Sequence, residues 1–145
     1  MKAPYLETIS LIERLHRECL EMIKAELDRL NVRDINNVQA MILFNIGEEE
    51  LTIGELTDRG YYLGSNVSYN VKKMTNNGYL LQQRGLHDKR SIEIRLSEKA
   101  LALQTQLQDL FQRHTVHLEK FDTPLDLAGT NKVLRQLERF WSRIV

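Results

Sequence analysis

Between Ser65 and Asn76 the chain reads SNVSYNVKKMTN, a run of amides, hydroxyls, one phenol and two lysines interleaved with three apolar side chains. Such groups can hydrogen-bond to base edges and neutralise phosphates. At about 100° per residue, a helix that turns Val67, Val71 and Met74 inward leaves Ser65, Asn66, Ser68, Tyr69, Lys72, Lys73 and Asn76 outward or on its flanks. A polar outer face is also the ordinary state of a solvated helix, so the surrounding chain has to decide. A second charged group follows at His87, Asp88, Lys89 and Arg90. Taken alone it is a soluble hairpin tip, and beside a groove-entering helix it is a set of phosphate contacts.

Other chemistries find less support. His114 and His117 are three apart, a spacing that suits two metal ligands, but Asp109 and Glu119 do not complete a set, so two surface histidines are expected and no metal. There is no phosphate-cradling glycine loop, no Gly-x-Ser-x-Gly elbow and no paired carboxylates for acid–base work, so no enzyme and no cofactor are expected. Cys19 is the single cysteine and cannot form an internal disulfide. No apolar run approaches the roughly 18 residues that span a bilayer, and MKAPYLETIS lacks an apolar signal core. The reading is a cytoplasmic protein without membrane contact.

The 145 residues suit one domain, 42% hydrophobic, with neither repeat nor linker. Twenty basic and twenty acidic side chains cancel. The cancellation hides a basic middle, because Gly54 to Arg95 holds seven Lys and Arg against four Asp and Glu.

The elements that must position these groups follow from periodicity. A stripe through Ile9, Ile12, Cys19, Ile23, Leu27 and Leu30 predicts a long first helix. Asp34 is the expected cap of a second helix ending at Gly47. The β-prone LTI precedes a brief helix, Ser65 is the expected cap of the next, and Asn77-Gly78 closes it. GYLLQQR and RSIEIRL predict a hairpin with Ile92, Ile94 and Leu96 on one face. Ser97 then caps a helix to about Phe121, and a last helix follows Pro124 with Val133, Leu134, Leu137, Phe140, Trp141 and Ile144 along it. The fold class is mainly α with a small β-hairpin wing, in the plan of a winged helix-turn-helix flanked by helices.

With these segments in view the chain resembles the MarR family of winged-helix transcriptional regulators over nearly its whole length. LTIGEL is similar to the strand and first helix of the motif, SNVSYNVKKMTNNGYL to the recognition helix running into the wing, and DKRSIEIRLSEKA to the Asp-x-Arg wing signature. The resemblance implies that Arg90 enters the minor groove, Asp88 orients its guanidinium, and Lys89 and His87 meet phosphate. It departs from the pattern at DRGYYLGSN, where Tyr61 and Tyr62 lengthen the turn and leave the helix angle open.

The resemblance further implies a division into a DNA-binding part, residues 34–97, and helical dimerisation parts, residues 5–31 and 98–145. The expected partners are double-stranded DNA, a second copy of the chain and a small aromatic or carboxylic effector. A homodimer sets two recognition helices one DNA turn apart, so the expected operator is an inverted repeat. His16, Met41 and Phe44 are candidates for an effector cleft, although as residues they read first as core. Cys19 has two readings: a redox switch, as in some relatives, or an inert thiol within an apolar stripe. The rival to DNA binding is a helical protein-interaction adaptor, favoured by the zero net charge.

Overall fold

The computed structural model describes residues 2–59, 64–85, 90–121 and 123–144, which form two units, residues 1–107 and 108–145. The elements in chain order are α1 (Lys2–Arg29), α2 (Asn37–Ile46), β1 (Leu51–Thr52), α3 (Ile53–Asp58), α4 (Gly64–Asn76), β2 (Leu80–Arg84), β3 (Ile92–Leu96), α5 (Glu98–Glu119) and α6 (Leu127–Ile144). The mainly helical architecture with a small wing is as expected. The two-residue β1 adds a third strand, giving an antiparallel sheet of order β1-β3-β2.

Most boundaries have a local chemical cause. Asn36, not Asp34, caps α2: its side chain accepts from the Gln39 N–H at 2.8 Å, and Gln39 Oε1 accepts from the Asn36 N–H at 3.1 Å. This reciprocal capping box satisfies two donors that the first helical turn would otherwise leave unpaired. Gly47, at φ +62°, ends α2 by returning its N–H to the Leu43 carbonyl. Thr52 caps α3 by accepting from the Glu55 N–H at 3.0 Å.

α4 begins at Gly64, so Ser65 lies in its first turn rather than at the cap. Its end is a Schellman motif: Tyr79 N–H reaches Met74 O at 2.9 Å and Gly78 N–H reaches Thr75 O at 3.1 Å. Gly78 takes the left-handed conformation this requires, at φ +83°. Ser97 caps α5 through its hydroxyl, 3.2 Å from the Ala100 N–H, while also donating to Gly78 O at 2.6 Å.

The core of the first unit lies where α2, α3, α4 and the sheet converge. Val67, Val71 and Met74 of α4 are buried with Ile42, Leu43 and Ile46 of α2, Leu56 of α3 and Ile94 of β3. Burial of each of these side chains contributes roughly 1.5–3 kcal/mol, enough to fix which face of α4 turns inward. The β3 alternation holds for Ile94 and Leu96, but Ile92 is 47% exposed, because it pairs with Arg84 at the end of the ladder farthest from α2 and α5.

The α1 stripe is buried only in its second half, at Ile23 and Leu27, while Tyr5, Leu6, Leu11 and Leu15 are exposed. Glu26 is buried within that stripe and takes a forked pair of bonds from Arg29 one turn on. In the second unit α6 has no buried residue, and Val133, Leu134, Phe140 and Ile144 are all exposed.

Candidate nucleic-acid interface

The periodicity of α4 assigns its two faces correctly. Ser65, Asn66, Ser68, Tyr69, Lys72, Lys73 and Asn76 are all exposed, and Val67, Val71 and Met74 are all buried. The helix therefore presents hydroxyls, amides, a phenol and two cations on one side while its apolar edge is committed to the core. Tyr69, 62% exposed, carries the Lys73 ammonium 5.7 Å from its ring centre. This cation–π contact spans one turn and steadies both side chains on the outer face.

Two sets of hydrogen bonds fix α4 from behind. Gln39 Nε2 donates to Asn70 Oδ1 at 3.1 Å, and Asn70 Nδ2 donates to Asn66 O at 2.9 Å. At the other end, Asn77 Nδ2 donates to the Asp34 carbonyl at 2.9 Å. The Asp34 carboxylate accepts from Tyr79 OH at 2.5 Å and from Lys99 Nζ at 2.6 Å, and Lys99 also donates to Asn77 O at 3.1 Å. The bonds from Lys99 and Tyr79 hold the Asp34 carboxyl below the usual carboxylate range. Burial, reinforced by the bond to Asp34, pushes the Tyr79 phenol well above its ordinary value.

These supporting residues were not found by reading the sequence. Asn36-x-x-Gln39 is a visible capping signature, but Asp34 and Lys99 are 65 apart and no local pattern joins them. Asp34, expected as a helix cap, is instead the acceptor for this cluster.

The hairpin carries further positive charge beside α4. Arg84, Arg90 and Arg95 are exposed, and Gly85 N–H bonds to Ser91 O at 3.0 Å at the base of the wing tip. His87, Asp88 and Lys89 lie outside the described residues, as do Tyr61 and Tyr62. Some of the basic middle is paired with nearby acids. Arg59 donates to Glu49 Oε2 at 2.7 Å and to Asn45 O at 3.1 Å, so it ties the end of α3 to the loop after α2. Arg95 has Glu50 at 3.9 Å.

The remaining candidates are less concentrated. His16 is exposed on α1, Met41 and Phe44 are half-buried on α2, and Cys19 is half-buried on α1. An open groove of about 460 Å³, lined by Glu21, Lys24, Arg33 and Asn37 among others, includes none of these four. In the second unit His114 packs edge-on to Phe111, with ring centres 6.1 Å apart. Among the described residues no group of three or more His, Cys, Asp and Glu is placed to hold a metal ion, and no helix is long and apolar enough to cross a membrane.

Comparison with known proteins agrees with this geometry. The winged helix DNA-binding domain family matches residues 35–100. The chain is 39% identical over 140 residues to the exopolysaccharide II synthesis transcriptional activator ExpG of Rhizobium meliloti strain 1021, covering 94% of this chain and 71% of that protein. It superimposes on Streptococcus pneumoniae FabT in complex with DNA with a TM-score of 0.77 at 15% identity, covering 97% of this chain and 99% of that one. A Staphylococcus aureus MarR in complex with salicylate and kanamycin gives a TM-score of 0.76 at 19% identity, covering 99% and 95%.

Fold, exposed helix and relatives together define a DNA-binding transcriptional regulator of the winged-helix class. Within that class the chain belongs to the MarR family. The family is one of regulators rather than enzymes.

Proposed function

We propose that the chain acts as a homodimer on an inverted-repeat operator. In this reading α4 enters the major groove with Ser65, Asn66, Ser68, Tyr69, Lys72, Lys73 and Asn76, while Arg90 and its neighbours His87, Asp88 and Lys89 meet the adjoining minor groove and phosphates. Residues 34–97 form the DNA-binding part, and residues 5–31 and 98–145 the dimerisation part. The observation that carries this is the clean division of α4: seven polar or cationic side chains exposed and three apolar ones buried. A helix of that width and polarity suits the groove.

Dimerisation is supported by the apolar surface that each unit leaves exposed, Tyr5, Leu6, Leu11 and Leu15 on α1, and Val133, Leu134, Phe140 and Ile144 on α6. A helix such as α6 that buries none of its large apolar side chains is suited to covering by a second copy. The S. aureus relative binds salicylate, which supports a small aromatic or carboxylic effector for this chain, with His16, Met41 and Phe44 the residues to probe. Such a ligand acts only through its different affinity for the DNA-competent and DNA-incompetent states. The R. meliloti relative is an activator of exopolysaccharide synthesis, which makes promoters of surface-polysaccharide genes the first to assay.

The test is fluorescence anisotropy with a duplex from upstream of the chain's own gene, titrated at two salt concentrations. Binding that weakens steeply with salt and protects two half-sites in a footprint is expected. Affinity indifferent to salt favours a protein-interaction adaptor instead.

A further inference from the structure

Both sets of bonds behind α4 lead to one short stretch, residues 34–39, that carries none of the side chains assigned to DNA. The first runs through amides whose orientations determine each other. Gln39 Oε1 accepts from the Asn36 N–H, so Nε2 is left to donate to Asn70 Oδ1, and Asn70 Nδ2 is left to donate to Asn66 O. Turning the Gln39 amide over would set donor against donor at Asn36 and acceptor against acceptor at Asn70. Gln39 is only 7% exposed, so its amide has little water to fall back on.

The second set closes just past the helix end. Asp34 receives Tyr79 OH and Lys99 Nζ on its carboxylate and Asn77 Nδ2 on its carbonyl, while Lys99 returns to Asn77 O. Asp34 and Lys99 are each about half exposed, and as an isolated ion pair they would matter little. Tyr79 is 2% exposed and its hydroxyl anchors the group from the core side.

We propose that Gln39 and Tyr79, acting through Asn70 and Asp34, are positioning residues for sequence reading: they set the angle at which α4 is presented and touch no DNA themselves. This rests on the reading of α4 as the groove-entering helix. One attachment is at the middle of α4 and the other just beyond its C-terminus, so weakening either lets the helix tilt slightly on its packed face. Hydrogen bonds to base edges are short and directional and fail on a small tilt, whereas attraction between lysines and phosphates persists over longer distances. The resulting defect is therefore selective: discrimination between sequences falls while general attraction to DNA is kept.

The experiment uses the full chain and a duplex recovered by its own selection from a randomised library, with a scrambled duplex of the same length as control. Tyr79→Phe removes one hydroxyl and keeps the buried ring; Gln39→Met keeps the side-chain length but also removes the α2 capping acceptor. Both are assayed well below their melting temperatures. The expected result is a roughly three- to tenfold fall in the ratio of selected to scrambled affinity for each, the range set by loss of one net hydrogen bond. The salt slope and scrambled-duplex affinity stay at the parent's values, and the amide resonances of residues 65–76 shift in the NMR spectrum. Variants that keep the parent's ratio overturn this inference alone, as do variants that lose selected and scrambled affinity equally. A parent chain that selects no duplex overturns the inference together with the DNA-binding geometry beneath it.

Discussion

On the exposed face of α4 the Lys73 ammonium lies 5.7 Å from the centre of the Tyr69 ring, one helical turn back along the chain. The two side chains are assigned different tasks, charge neutralisation for the lysine and contact with base edges for the tyrosine. Lys73→Ala is expected to weaken binding about uniformly across sequences and to lower the log–log salt slope by roughly 1. Tyr69→Ala is expected to change sequence preference with little change in slope. Anisotropy titrations across a potassium chloride series read both, and a Lys73→Ala protein with the parent's slope removes Lys73 from the phosphates.

Asp34 and Tyr79 predict opposite limbs of a pH–stability curve. The Asp34 carboxyl is held low by Lys99 and Tyr79, so the unfolded chain binds its proton more readily than the folded one. Its contribution is present above about pH 4 and is lost as pH falls through the depressed folded value. The Tyr79 phenol is pushed high by burial, so its contribution is present below about pH 10 and is lost as pH rises toward the elevated folded value. Urea midpoints measured across pH should show both limbs; Tyr79→Phe should erase its share of the alkaline limb, and Asp34→Asn its share of the acid one.

Gly78 offers a test of backbone conformation free of steric complication. It sits at φ +83°, and a Cβ built there meets nothing within 4 Å. Gly78→Ala should therefore cost about 1–2 kcal/mol, the intrinsic penalty of a left-handed L-residue, with no added term from crowding. Chemical denaturation measures it directly. A loss well above this range would show that the Schellman turn does more than end the helix.

The apolar stripe of α6 predicts the assembly state. Phe140 is 50% exposed and Ile144 64% exposed on a helix with no buried residue. Phe140→Glu, on a surface that the proposed dimer buries, should shift the sedimentation-equilibrium mass from that of two chains to that of one and weaken operator binding with it. A parent chain that already sediments as a monomer removes the dimer from the proposal.

Much of this architecture was legible because it is written in local periods. The faces of α4, the Gly47 and Gly78 terminations and the Ser97 cap all depend on residues within one or two turns of each other, and each is found where the spacing placed it. Failures occurred where a distant partner competed for a side chain. Asp34 is a good capping residue by type, but Lys99 and Tyr79 claim its carboxylate while Asn36 takes the cap with Gln39. Ile92 has the right alternation for burial, yet at the end of the ladder, paired with Arg84, it is exposed. The exposed side chains of α4 were named because exposure follows from helical phase, whereas the residues bonded behind it were missed because their contacts span the fold.

α4 contains no aspartate or glutamate, and neither Lys72 nor Lys73 forms an ion pair among the described residues. Among the described residues no internal counter-charge on these two lysines has to be peeled away before a duplex can dock on the proposed face. Diffusional encounter should therefore be accelerated by long-range steering, and dilution of the buffer should act chiefly on the association rate while complex lifetime changes less. If α4 is the groove-entering helix as proposed, search along a chromosome is governed by how quickly the protein arrives, and recognition by how long that helix stays seated.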